Sequence, residues 1–288
     1  MVKIVICADY FTEVNGGAEK TFEVLSDAVI ERYGLKDNEI SKISTSKIDI
    51  DFINEHRDAV WLIGNYYFLI QNNLLASFSG LKYYVVEFDY KICPTRNMEF
   101  FKHLNGRDYE YDNYAEAIDA FLSIAKKTFF MSEVQKNRHM DFLRKTPKEQ
   151  CEVAGSCFDD EFFNILSRVK CEKKDNVTAV YGQPTWQKGL GNAIFWCEKN
   201  GKDYVNLYDL PYEDFLSKLA KCERLVFLPN GADTAPRTVM EAKLLGLELV
   251  TNKFVEHAEE SWFNTKDLSK TIKHLKSTPS RFAESIEL

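Results

Sequence analysis

Two carboxylates, Asp233 and Glu241, flank a loop-to-helix junction with seven residues between them. The apolar run Leu225-Val226-Phe227-Leu228 reads as a strand, and Pro229-Asn230-Gly231 closes it as a turn. Pro236 suits the first turn of a helix, because the N–H it lacks would have had no partner there. Val239, Met240, Ala242, Leu244 and Leu245 follow helical spacing, and Gly246 supplies the stop. The N–H groups of Arg237, Thr238 and Val239 would then lie at the positive end of that helix, roughly half a unit charge. Such donors bind phosphate. Glu241 follows about one turn further in, and a nucleotide-sugar would suit the combination.

Two other stretches carry compatible chemistry. Asn15-Gly16-Gly17 precedes a helix, where a residue without Cβ lets the backbone approach a ligand closely, although a plain tight turn explains the glycines as well. It is not the GxGxxG fingerprint, so a nicotinamide enzyme is set aside. Tyr181-Gly182-Gln183-Pro184-Thr185-Trp186-Gln187-Lys188-Gly189 again reads as strand, loop and helix start. Lys188 there could meet a diphosphate beside free N–H groups, or be a solvated lysine near a cap. Trp186 could wall a base or sugar, or simply pack.

The elements that must position these residues alternate between strand-like and helix-like runs, the pattern of an α/β protein with parallel sheets. Strands are expected near Lys3 to Ala8, Glu39 to Thr45, Ala59 to Ile63, Tyr83 to Phe88 and Thr128 to Met131. Helices are expected over Ala18 to Tyr33, Tyr114 to Lys126 and Glu133 to Leu143. The Lys-rich stretch Val169 to Asn176 reads as a linker. A second series follows, with strands near Val177 to Tyr181, Tyr204 to Tyr208, Arg224 to Leu228 and Glu248 to Thr251. Its helices are expected over Gly189 to Lys199, Tyr212 to Ala220 and Pro236 to Leu245. The expected fold is therefore α/β, two facing Rossmann-like domains with an interdomain cleft, since open parallel sheets bind ligands beyond their strand C-termini. The boundaries are set at 1–165, 166–265 and a closing segment 266–288 that returns to the first domain.

Gly182 through Lys188-Gly189 resembles the Gly-Arg…Lys-Gly element of the retaining family-four glycosyltransferases of the GT-B fold. Asp233 and Glu241 resemble that family's paired glutamates, and Asn15-Gly16-Gly17 resembles its N-terminal glycine loop. The three elements occur in family order and span both halves of the chain. The resemblance implies that Glu241 bonds the ribose of the donor and that Asp233 faces hydroxyls of the transferred sugar. It also implies that Lys188 and the N–H groups of Arg237, Thr238 and Val239 hold the diphosphate, with Gly16 and Gly17 contributing from the first domain. Preorganised donors and cations stabilise a leaving diphosphate without a metal, so no bound metal and no cofactor besides the nucleotide-sugar co-substrate is expected.

Departures from the family pattern are also present. Asp233 stands where the family has glutamate, one methylene longer. Gln183 replaces a phosphate-binding arginine, a charge that Arg237 could restore. Pro236 occupies a position where the family often has glycine. A histidine common after the fourth strand is replaced by Val86-Glu87-Phe88-Asp89-Tyr90-Lys91, in which Asp89 is taken as the second catalytic candidate. Acceptor recognition is expected in the first domain, from Asn65 and Tyr66 after the third strand and from Arg96. The five histidines offer no catalytic setting, and His257, among Glu256, Glu259 and Glu260, reads as solvated.

Composition bounds the rest. The 288 residues are 45% hydrophobic and 28% charged, ordinary for a globular protein. The net charge of −7 argues against a general hold on nucleic acid or anionic lipid. Seven cysteines without a CxxC pair or nearby histidine read as free buried thiols. The charge-free stretch Ala59 to Leu81 contains too many amides and hydroxyls for an integral membrane segment. Met1 to Cys7 reads as a strand rather than a signal peptide, and a cytoplasmic location follows as the expectation. The expected activity is transfer of a sugar to a glycan or other acceptor. A nucleotide-sugar epimerase and a non-catalytic nucleotide-sugar-binding protein are the alternatives on the same fold.

Overall fold

The computed structural model describes residues 2–14, 16–170, 174–182 and 185–288. The expectations for Asn15 and Gln183 lie outside the described residues. The chain runs Ile4–Ala8 (β1), Gly17–Tyr33 (α1), Ile40–Ser44 (β2), Ile50–Glu55 (α2), Val60–Ile63 (β3), Tyr67–Gln71 (α3) and Lys82–Glu87 (β4). It continues through Met98–Asn105 (α4), Asn113–Ile124 (α5), Lys127–Phe130 (β5), Glu133–Phe142 (α6), Cys151–Val153 (β6) and Asp160–Val169 (α7). Asp175–Val180 (β7), Leu190–Lys199 (α8), Tyr204–Asn206 (β8), Tyr212–Lys221 (α9) and Cys222–Phe227 (β9) follow. Arg237–Leu244 (α10), Glu248–Thr251 (β10) and Leu268–Glu284 (α11) complete the chain.

The first sheet has six strands in the order β2-β1-β3-β4-β5-β6, and the second has four in the order β10-β9-β7-β8. Every strand pairing among the described residues is parallel. Helices cover both faces of such sheets, which is why β1 and β3 are buried at every position rather than alternately.

Two compact units result. The first comprises the chain through Asn97, Tyr109–Cys157 and Leu275–Leu288; the second comprises Met98–Asp108 and Phe158–His274. Thus α4 belongs with the second unit, and most of the C-terminal helix belongs with the first. Phe282 of that helix packs edge-on against Phe129 of β5, ring centres 4.7 Å apart.

Aromatic packing fixes the first core. Trp61 of β3 meets Phe78 at 5.2 Å, and Tyr83 of β4 stacks on Phe121 of α5 at 5.0 Å, all four buried. Each such ring contributes about 2 kcal/mol or more by leaving water. In the second unit Val180, Ala193, Cys197 and Val226 form a smaller cluster between the sheet and α8. The six described cysteines are buried and free.

The stretch expected as a linker is shorter than its composition suggests. Helix α7 runs through Val169, with Phe162, Ile165 and Leu166 as its buried face. Strand β7 already begins at Asp175, whose exposed first turn of sequence looks polar because only its later residues enter the core.

Candidate functional site

Strands β7 and β9 are neighbours, so the loops leaving their C-terminal ends lie side by side in the second unit. These are the Trp186–Gly189 and Leu228–Asp233 segments. They are laced together: Asn230 N donates to Gln187 O at 3.1 Å, Asn230 Nδ2 to Trp186 O at 2.6 Å, and Asn192 Nδ2 to Asn230 Oδ1 at 2.7 Å. Gly189 makes the approach possible. Its φ is +63°, and a Cβ there would lie 2.0 Å from Leu228 O. No other residue fits that space or that backbone conformation.

Lys188 and Asp233 meet across the two loops, Nζ to Oδ2 at 2.7 Å, with side chains 38% and 12% exposed. Burial works to lower the Lys188 pKa, but the Asp233 carboxylate outweighs it and holds the ammonium above its ordinary value. Asp233 is itself pinned by backbone: its N–H donates to Phe254 O at 2.8 Å, and Glu256 N donates to its carbonyl at 3.2 Å. The pair is thus a charged, half-open feature on fixed loops. Trp186 packs on His103 and Phe100 of α4, ring centres 4.8 and 5.2 Å away. The packing alternative for this tryptophan is the arrangement observed.

Helix α10 begins after Pro236, as the sequence indicates. Its N-terminal donors are not equivalent: the N–H of Val239 donates to Pro236 O at 3.1 Å. The expectation that Val239 N–H holds phosphate is corrected by that bond. Arg237 and Thr238 occupy the first helical turn, where amides have no helical acceptor of their own. The Arg237 guanidinium lies 3.9 Å from the centre of the Phe158 ring, and its side chain is 9% exposed rather than solvated. Glu241 is 2% exposed and accepts a bond from Tyr212 Oη at 2.6 Å. Sequence reading missed Tyr212; a polar aromatic opening α9 was the available signal.

In the first unit a second cluster of charges gathers beyond the ends of β1, β3 and β4. Asp89 accepts from Lys91 Nζ at 3.1 Å and from Arg96 Nε at 2.7 Å. Burial acts to raise its pKa, but Lys91 and Arg96 prevail and hold its carboxyl below the usual range. Glu87 is wholly buried and accepts from Lys91 Nζ at 2.9 Å and Tyr66 Oη at 2.6 Å; burial pushes its pKa up. Arg96 adopts φ +57°, a left-handed conformation that costs an ordinary residue on the order of 1–2 kcal/mol. Asp9, missed by sequence reading, ends the first strand's run and caps α3, accepting from Tyr67 N at 2.9 Å and Phe68 N at 3.1 Å.

Two expectations for this unit need correction. Tyr66 is 0% exposed and bonded to Glu87, so it has no face to offer an acceptor and instead orients that carboxylate. Gly16 is not open to phosphate: its N–H donates to Val14 O at 2.7 Å, and the Glu19 carboxylate lies 1.9 Å from where a Cβ would stand. The glycine admits Glu19, whose own pKa is raised chiefly by burial. Gly17 is the first residue of α1. Asn65 is 8% exposed, and its side chain hydrogen-bonds Glu19 while its Oδ1 has no partner among the described residues. His257 is buried completely against Phe263 and Trp262, contrary to the solvated reading suggested by its acidic neighbours.

Among the described residues no three metal-ligating side chains converge, and no helix is long and apolar enough to cross a membrane. No protein-family model and no curated protein matches the sequence. Solved structures do match along the whole chain. HepE of Anabaena in complex with UDP-glucose superposes with a TM-score of 0.54 at 9% identity, covering 100% of this chain and 96% of that one. A UDP-forming α,α-trehalose-phosphate synthase from Burkholderia xenovorans gives 0.60 at 11% identity, over 99% of this chain and 94% of that one. The chain has the GT-B fold. An E. coli trehalose-6-phosphate protein bound with UDP-2-fluoro glucose is similar too, with a TM-score of 0.56 and 10% identity over 99% and 96% of the two chains.

Proposed function

We propose that this protein is a glycosyltransferase that takes a sugar from a nucleotide-sugar donor and passes it to a hydroxyl acceptor, with retention and without a metal. The observation that carries the reading is the Lys188–Asp233 pair on the two loops that leave adjacent strands β7 and β9, with the buried acid Glu241 on the helix that follows. Proteins of the same fold were captured with UDP-glucose and with UDP-2-fluoro glucose, which makes a UDP-sugar the first donor to test.

The roles divide by unit. In the second, Lys188 and the amides of Arg237 and Thr238 hold the diphosphate, Glu241 takes the ribose, and Asp233 accepts from hydroxyls of the sugar. Rupture of the anomeric bond leaves charge on the β-phosphate, and a positioned ammonium with fixed N–H dipoles stabilises it as it develops. The acceptor side is assigned to the first unit, where Asn65, Arg96 and Asp89 supply polar groups. Retention rests on the family resemblance of the motifs.

A thermal-shift panel of UDP-, GDP- and ADP-sugars tests this, because a ligand that binds only the folded state raises apparent stability by about 2.7 kcal/mol at a hundred times its Kd. One nucleotide should raise the midpoint and the others should not. No response to any of them at millimolar concentration would count against the proposal.

A further inference from the structure

Glu241 and Arg237 lie one helical turn apart on α10, and Tyr212 reaches them from the first position of α9, which packs beside it. Tyr212 Oη donates to Glu241 Oε1 at 2.6 Å, while its oxygen accepts from the Arg237 guanidinium. Arg237 Nε lies 3.9 Å from the same Oε1, and the guanidinium carbon sits over the Phe158 ring, 3.9 Å from its centre. The Glu241 and Arg237 side chains are 3% and 9% exposed. A carboxylate taken out of water to that extent needs charged or hydroxyl donors, and here a chain from guanidinium to phenol to carboxylate supplies them.

We infer that Tyr212 and Arg237 are positioning residues that fix the Glu241 carboxylate as the acceptor for ribose hydroxyls, so that the Arg237 side chain serves nucleoside recognition rather than the diphosphate. This rests on the proposed nucleotide-sugar reading. A carboxylate has about four lone-pair sites, of which the phenolic donor takes one. Tyr212 remains a donor throughout the working pH range, since burial and the adjacent Glu241 both raise its pKa. The phenylalanine variant keeps the ring's stacking on Phe215 and removes only the hydroxyl.

Calorimetric titration of the full chain with UDP, ADP and GDP, each beside its 2′-deoxy form and its nucleoside, tests the inference. Wild type should prefer one ribonucleotide over its deoxy form. Tyr212→Phe should weaken that ribonucleotide by about tenfold or more and bring the ribo-to-deoxy ratio toward one. Arg237→Gln should weaken nucleoside and nucleotide by the same factor. An unchanged ratio in Tyr212→Phe, a gain in its affinity, or a loss in Arg237→Gln confined to the diphosphate overturns the inference while leaving the nucleotide-sugar reading intact. Wild type that binds none of the probes overturns both.

Discussion

Lys188 Nζ sits 2.7 Å from Asp233 Oδ2, so the cation expected to meet the donor's diphosphate is held by the acid expected to meet its sugar. The two residues are 45 positions apart and come from different loops, yet Gly189 and the Asn230 bonds leave little freedom between them. On the proposed reading, the pair holds the ammonium ready for the donor's diphosphate. Lys188→Ala should therefore weaken a nucleoside diphosphate by about tenfold or more while leaving the bare nucleoside unaffected, as measured by calorimetry. Asp233→Asn should keep or raise diphosphate affinity, because the ammonium is released, and should lower the rate of sugar transfer.

Gly189→Ala adds one methyl group where Leu228 O would be 2.0 Å away, at a φ of +63°. The strained backbone alone costs about 1–2 kcal/mol, and separating the loops adds to it. Chemical denaturation should show that loss, and nucleotide affinity should fall with it. Gly191→Ala is the control, since nothing lies within 4 Å of its Cβ position.

Lys91 is a fully buried ammonium between Glu87 and Asp89, with its Nζ also 5.0 Å from the centre of the Tyr66 ring. Removing one partner of a buried pair leaves an uncompensated charge, so Lys91→Met should destabilise the protein by about 3–5 kcal/mol. The double variant Lys91→Met with Glu87→Gln should recover a good part of that loss. Urea unfolding of wild type, Lys91→Met, Glu87→Gln and the double variant forms the cycle that checks it.

The sequence carries the strands whose positions are all apolar, such as β1 and β3, because a sheet covered on both faces needs continuous apolar runs. It hides β6, three residues long, whereas β8 is expected near Tyr204 to Tyr208 even though its three residues are exposed. At the site, Lys188, Asp233 and Glu241 are legible from motif spacing. Their supporting partners are not: Tyr212 reaches Glu241 from another helix, and Asp9 reaches α3 across 58 positions. Local charge misleads for His257, since three acids nearby in sequence say nothing of the Trp262 and Phe263 rings that enclose it.

His139 and His257 are both buried and neutral, with burial lowering their pKa values from 6.5 to about 4 and about 3. Each unfolded histidine takes up a proton that its folded form refuses, so stability falls as pH drops through 6.5 toward these folded values. Between pH 7 and pH 5 the loss is about 2 kcal/mol per histidine. Glu19 and Glu87, whose folded carboxyls burial raises, act in the opposite sense as pH falls, so a histidine variant is needed to isolate the histidine part. Thermal midpoints should fall from pH 7 to pH 5, and His257→Phe should reduce that fall.

Release of nucleoside diphosphate from a nucleotide-sugar, followed by mass spectrometry, tests the central claim most directly. The wild-type protein should liberate UDP, or the diphosphate of whichever donor stabilises it, with the sugar passing to an acceptor hydroxyl or to water. Glu241→Ala and Lys188→Ala should each lower that release at least about tenfold. A donor that binds tightly yet is returned intact, or a release rate unaltered in both variants, would contradict the assignment of a glycosyltransferase with its donor site in the second unit.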